Sequence, residues 1–174
     1  MSNLVAMAEA FARAAHEGQV RRGAAAEPYA VHLAEVAALV AGFGGSDGAV
    51  MAAWLHDTVE DCGALPAELE AQFGADVAGF VAELTDDGAL EKPERKRMQL
   101  VNAPGKSPEA ALVKACDKLS NIRALEMSPP VDWPQARKAA YLDWAEQVVG
   151  LLPAGADPVR EVFAQQLIRS RAAI

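Results

Sequence analysis

Within eight residues, Trp54 to Asp61 (WLHDTVED), the chain gathers one imidazole and three carboxylates, with no Lys or Arg three or four positions away to neutralise them. A fold containing this octet must leave it in water or bring compensating charge to it from elsewhere. If it is helical, then at about 100° per residue His56, Asp57, Glu60 and Asp61 fall within roughly 140° of one face. Val50, Met51, Trp54, Leu55, Thr58 and Val59 take the other. A bound cation would relieve the crowding; a solvated acidic face on an ordinary amphipathic helix is the alternative.

The 174 residues suit one domain with a core of its own. Apolar positions are dominated by Ala, Leu and Val, and they recur at helical spacing between Gly and Pro breaks, so an all-α helical bundle is expected. With 16 basic against 24 acidic residues the net charge is −8, which argues against nucleic acid or an anionic membrane as partner. A small anionic ligand in a local basic pocket fits that balance. Two cysteines, Cys62 and Cys116, are too few for a disulfide framework and read as reduced thiols of a cytoplasmic protein. Leu4, Val5, Ala8, Phe11 and Ala15 form a helical stripe interrupted by Glu9 and Arg13, unlike a targeting segment. Nothing approaches transmembrane length. The residues leave the oligomeric state open.

The first helix is expected from about Asn3 to Gly18, followed by the loop QVRRGAAAEP. Arg21 and Arg22 in that loop either face water or, if it bends over a pocket, offer forked planar donors to phosphate. A second helix follows Pro28, with His32 inward beside Tyr29 and Val36. Ser46 or Asp47 caps the helix that carries the octet. A basic cluster, Lys92, Arg95, Lys96, Arg97 and Lys106, then appears in an otherwise acidic chain. Ser107 caps and Pro108 opens the next helix, on which Asp117 and Asn121 share a face with Lys114. A salt bridge from Asp117 to Lys114 is one reading of that face. Two more amphipathic helices follow, around Gln135 to Leu151 and Pro158 to Arg171, and Arg137 and Tyr141 are four apart on the first.

His32, the His56 and Asp57 pair, and Asp117 thus come from three separate helices. Two imidazoles and two carboxylates, with no thiolate, form a mixed shell that leaves positions for water and suits one octahedral ion such as Mn²⁺ or Fe²⁺ better than a closed Zn²⁺ site. In order, H…HD…D resembles the HD superfamily of metal-dependent phosphohydrolases. The segments HEGQVRRGAAAEPYAVH, AAWLHDTVEDC, VAELTDD, ERKR and SPEAALVKACDKLSNIRAL narrow this. They resemble the hydrolase domain of the RelA/SpoT alarmone enzymes, and most the small stand-alone metazoan-SpoT-homologue type, over roughly residues 1 to 150.

The resemblance implies a single HD-domain helical bundle over residues 1–174 with a mononuclear metal site. It implies hydrolysis of the 3′-pyrophosphate of (p)ppGpp to GDP or GTP and pyrophosphate, dependent on one Mn²⁺, with Zn²⁺ or Fe²⁺ as alternative ions. His32, His56, Asp57 and Asp117 are then the metal ligands, and Glu60 and Asp61 activate water. Arg21 and Arg22 contact base and phosphates, Asn121 the ribose, and Lys92, Arg137 and Tyr141 the substrate phosphates; His16 stays structural. Competing readings keep the site but change its use: an NADPH 2′-phosphatase or other nucleotide phosphohydrolase, or a silent nucleotide sensor. Where relatives usually read NHP, this chain has Val31, His32 and Leu33, and its loop before Pro28 is richer in alanine.

Overall fold

The structure is a computed structural model that describes residues 3–174. Its organising element is α8 (Pro108–Met127), in which 13 of 20 residues are buried. The sequence starts this helix sharply: Ser107 Oγ accepts from the Ala110 amide, and Pro108 occupies the first turn. Small residues at Ala110, Ala111, Ala115 and Cys116 let neighbours approach on several sides, so a helix buried nearly all round becomes the axle of the core.

Around it lie α1 (Asn3–Ala15), α2 (Tyr29–Gly42), α3 (Asp47–Leu55), α4 (Thr58–Cys62), α5 (Pro66–Phe73) and α6 (Ala75–Leu84). They are followed by α7 (Lys92–Asn102), α9 (Gln135–Leu151) and α10 (Asp157–Ala173), with 3₁₀ turns at Ala103–Gly105 and Ala154–Ala156. Helices α2, α3, α6, α9 and α10 all pack on α8, and α3 is further covered by α1. Among the described residues there is no strand, only an isolated bridge between Val20 and Pro28. The all-α expectation is therefore met.

Two boundaries differ from expectation. The first helix ends at Ala15, because the chain tightens (Glu17 N to Ala14 O, 3.2 Å) and turns through a left-handed Gly18. The octet is not one helix: α3 stops at Leu55, Asp57 sits at φ −102°, ψ −2°, and α4 starts at Thr58. Side chains cause this break. His56 Nδ1 donates to the Ala53 carbonyl at 2.8 Å, and Thr58 Oγ1 donates to the Leu55 carbonyl at 2.7 Å. Side chains thereby occupy acceptors that a continuous helix would give to backbone amides. As a result His56 turns inward, while Glu60 and Asp61 on α4 face solvent.

The arginine loop is fastened at both edges. Arg21 N bonds to Glu27 O at 2.8 Å, and Tyr29 N to Gln19 O at 2.9 Å. Farther out, Ala25 N donates to Ser128 Oγ at 2.8 Å, and Gly23 lies so close to Ser128 that a Cβ there would overlap it. The loop is thus pinned to the C-terminal end of α8.

Because Leu119 on α8 is fully buried, Leu119→Ala is expected to cost about 2–5 kcal/mol, the range for a leucine cavity that cannot fully collapse. Urea titration should show the loss as a lower midpoint with little change in slope.

Candidate metal centre and adjoining cleft

His32 and His56 are each almost inaccessible, their rings 5.4 Å apart, and hydrogen bonds fix which nitrogen each presents. His56 Nδ1 donates to a carbonyl, so Nε2 is the free end. His32 Nδ1 lies 2.9 Å from Ser120 Oγ, and that hydroxyl gives its only proton to Glu35 Oε2 at 2.6 Å. The serine can therefore only accept from His32, and His32 also points Nε2 at the cluster.

The two nitrogens face two aspartates. His32 Nε2 is 3.5 Å from Asp117 Oδ1 and 3.9 Å from Asp57 Oδ2. His56 Nε2 is 3.1 Å from Asp57 Oδ2 and 4.0 Å from Asp117 Oδ1. Although the His56–Asp57 approach is short, His56 Nε2 is buried without a well-formed hydrogen bond. Nitrogen and oxygen that converge without bonding each other are arranged like neighbouring ligands of one ion. The ligand atoms of His32, His56 and Asp57 all lie within 4.8 Å of one another. The donor set, two imidazoles and two carboxylates with spare coordination positions, fits a divalent cation.

Surrounding groups hold the carboxylates. Tyr29 Oη donates to Asp57 Oδ2 at 2.6 Å, Asn121 Nδ2 to Asp117 Oδ1 at 2.6 Å, and Lys118 Nζ to Asp117 Oδ2 at 3.1 Å. Lys114, the partner suggested by spacing, forms a long ion pair with Asp117 at 4.0 Å; Lys118 makes the shorter contact and itself lies 4.5 Å over the Trp144 ring. Burial raises the pKa values of both aspartates, but for Asp57 the two histidines, and for Asp117 chiefly Lys118 and His32, outweigh it and hold both carboxyls below the ordinary range. Burial pulls His32 down. It pulls His56 down too, but Asp57 and Asp117 overcome it and bring that imidazole up to about 9.

Glu60 and Asp61 sit one turn further on. Glu60 accepts from Arg95 Nη1 at 3.1 Å and from the Asp86 amide at 3.3 Å. Partial burial raises both carboxyls, followed by the charge of Asp86 for Glu60 and of Asp57 for Asp61. Both are thereby better proton acceptors than ordinary surface carboxylates.

A cleft of about 550 Å³ adjoins the cluster, lined by Arg21, Arg22, Tyr29, Asp61, Asn121, Trp133 and Tyr141 among others. Tyr29 and Asn121 belong to both, since each lines the cleft and bonds one of the two aspartates. Arg21 Nη2 donates to Asn121 Oδ1 at 3.1 Å. Lys92 and Arg137 do not line the cleft. Arg137 stacks 4.3 Å over Trp133, and Lys92 is exposed at the start of α7, its pKa lowered by partial burial and then by Arg137, Arg22 and Arg95. Lys92 is thus near enough to feel three other cations.

His16, expected to be structural, stacks on Tyr29 with ring centres 4.8 Å apart. Sequence reasoning did not single out Tyr29, Ser120, Glu35, Lys118 or Trp133. A signal existed for two of them: Glu35 is one turn beyond His32 and Ser120 one turn beyond Asp117, so each shares a ligand's helix face.

Residues 8–145 match the HD-domain family. The chain belongs to that family. Within it, this HD domain is 40% identical over 163 residues to the guanosine-3′,5′-bis(diphosphate) 3′-pyrophosphohydrolase MESH1 of Drosophila melanogaster, covering 92% of this chain and 90% of that one. The Homo sapiens protein of the same name is 44% identical over 141 residues, 80% of this chain and 79% of the relative. A solved structure described as a metazoan ortholog of SpoT that hydrolyzes ppGpp and plays a role in starvation responses superposes with a TM-score of 0.91 at 36% identity, over 100% of this chain and 98% of that one.

In the cation-free HD domain His56 is expected to be protonated below about 9, and a cation entering there displaces that proton. Affinity for a divalent cation should consequently rise with pH up to that value and fall below it. Calorimetric titration in buffers of different ionisation heat should detect proton release at pH 7.

Proposed function

We propose that this HD domain hydrolyses the 3′-pyrophosphate of (p)ppGpp, giving GDP or GTP and pyrophosphate, with one Mn²⁺ held by His32, His56, Asp57 and Asp117. The observation that carries the reading is the convergence of those four side chains beside a cleft lined by Arg21 and Arg22, with Tyr29 and Asn121 shared between the two. Its similarity over most of its length to proteins named as such hydrolases supports the substrate. Manganese is the ion of choice because oxygen and imidazole ligands with open positions suit it; Zn²⁺ and Fe²⁺ are the alternatives.

A divalent cation supplies Lewis acidity, making water easier to deprotonate and withdrawing charge from a phosphoryl oxygen. The protein's own residues supply the rest. Glu60, clamped by Arg95 and the Asp86 amide, and Asp61, at the cleft wall, orient water and take its proton. A water oxygen joins the phosphorus, the bond from phosphorus to the 3′ oxygen breaks, and that oxygen takes up the proton the carboxylates accepted, leaving a hydroxyl as pyrophosphate departs. Arg21 and Arg22 grip base and phosphates, Asn121 orients the ribose, and Lys92, Arg137 and Tyr141 compensate phosphate charge.

The protein is proposed to act as a single hydrolase domain over residues 1–174, on a small nucleotide rather than nucleic acid or a membrane. No helix of the described residues is long and apolar enough to cross a membrane. Its two cysteines are free, which suits a cytoplasmic setting.

Turnover of ppGpp, NADPH and simple nucleotides, measured side by side with Mn²⁺, tests the assignment; no turnover of ppGpp would sink it. Asp57→Ala should be inactive. Glu60→Gln should lower kcat by about 10²–10⁴, the usual contribution of a positioned general base, while metal content is retained. Since both carboxyls are raised, the acid limb of the wild-type kcat profile should lie above the ordinary carboxylate range, with activity lost as pH falls through it.

A further inference from the structure

One chain of hydrogen bonds leads away from the cluster. It starts at His32 Nδ1, passes through Ser120 Oγ at 2.9 Å and ends on Glu35 Oε2 at 2.6 Å. Ser120 is fully buried. A buried helical serine ordinarily satisfies its hydroxyl on a carbonyl of its own preceding turn; here it reaches across to α2 instead. Glu35 lies one turn after His32 on that helix, so α2 presents both ends of the chain and α8 the link between them.

Glu35 does more than close this chain. Its Oε1 accepts from Arg123 Nη1 at 3.1 Å, and its Oε2 is 4.0 Å from Arg21 Nη1. As an ion pair alone, with both side chains 30% exposed, the contact to Arg123 would contribute little to stability. What distinguishes the glutamate is that its charge fixes the direction of the serine proton, and hence which nitrogen of His32 is free.

We propose that Ser120 and Glu35 are positioning residues that hold His32 as the Nδ1–H tautomer with Nε2 toward the cation, and that Glu35 links this ligand to Arg21 at the cleft wall. Removing either leaves a buried Nδ1–H without an acceptor or a serine free to reverse its bond, and His32 then divides between two tautomers. Partners of this kind behind a ligating histidine are typically worth about 10–100-fold in metal affinity. The inference rests on the cluster being a metal centre, not on which nucleotide is turned over.

The test is Mn²⁺ titration of the metal-stripped protein, with free Mn²⁺ followed by electron paramagnetic resonance and folding checked by thermal melts. Ser120→Ala and Glu35→Ala should each weaken Mn²⁺ binding by about 10–100-fold. The double variant should be no weaker than the worse single one, because the two act in series. Glu35→Gln, which keeps an acceptor for Ser120, should recover part of the loss. Arg123→Ala, which breaks only the ion pair, should keep wild-type affinity. Nitrogen-15 spectra should place the His32 proton on Nδ1 in the wild type and on both nitrogens in Ser120→Ala. Folded single variants that bind Mn²⁺ as the wild type does, or losses that simply add, would overturn the relay while leaving the metal centre standing. A wild type that binds no Mn²⁺ would overturn both.

Discussion

Two aspartates far apart in sequence, the half-buried Asp57 in the turn after α3 and the buried Asp117 on α8, are brought together, and most of the site follows from the need to compensate them. Buried carboxylates are stable only when paired and hydrogen-bonded. Here Tyr29, Asn121 and Lys118 each donate to one of them, and two imidazoles face them from the other side. These contacts draw on α2, α3 with the turn after it, and α8, so the core packing of these helices and the electrostatics of the centre are one problem. A change that shifts α8 changes both.

The helical character was legible because it rests on local patterns, 3.6-residue periodicity and caps at Ser46 and Ser107, and the inward placing of His32 and Asp117 on their helices followed from the same spacing. The break at His56 and Asp57 was not legible. No Gly or Pro marks it; it arises from two side chains competing for backbone carbonyls, an outcome that depends on the three-dimensional context of His56 and Thr58. The break matters, because a continuous helix would have put the imidazole on the same solvent-facing side as Glu60 and Asp61.

Partner identity was harder still. Spacing on α8 favours Lys114 for Asp117, and that pair is present at 4.0 Å, yet Lys118, adjacent in sequence and packed over Trp144 on α9, makes the hydrogen bond. Likewise Lys92 and Arg137 carry suitable charge, but their places relative to the cleft depend on how α7 and α9 dock. Spacing puts Glu35 and Ser120 one turn from His32 and Asp117, but only the pairing of α2 with α8 turns them into a link between His32 and Arg21. The unusual residues around His32 are accommodated without disturbing it: Leu33 joins the core and Val31 faces solvent.

The close seat of Gly23 on Ser128 gives the cleft a fixed span. The arginine loop is thereby moored to the far end of the helix that carries Asp117, so one frame holds both. A side chain at position 23 would part loop from helix and, with them, reset the distance from Arg21 to Asp117.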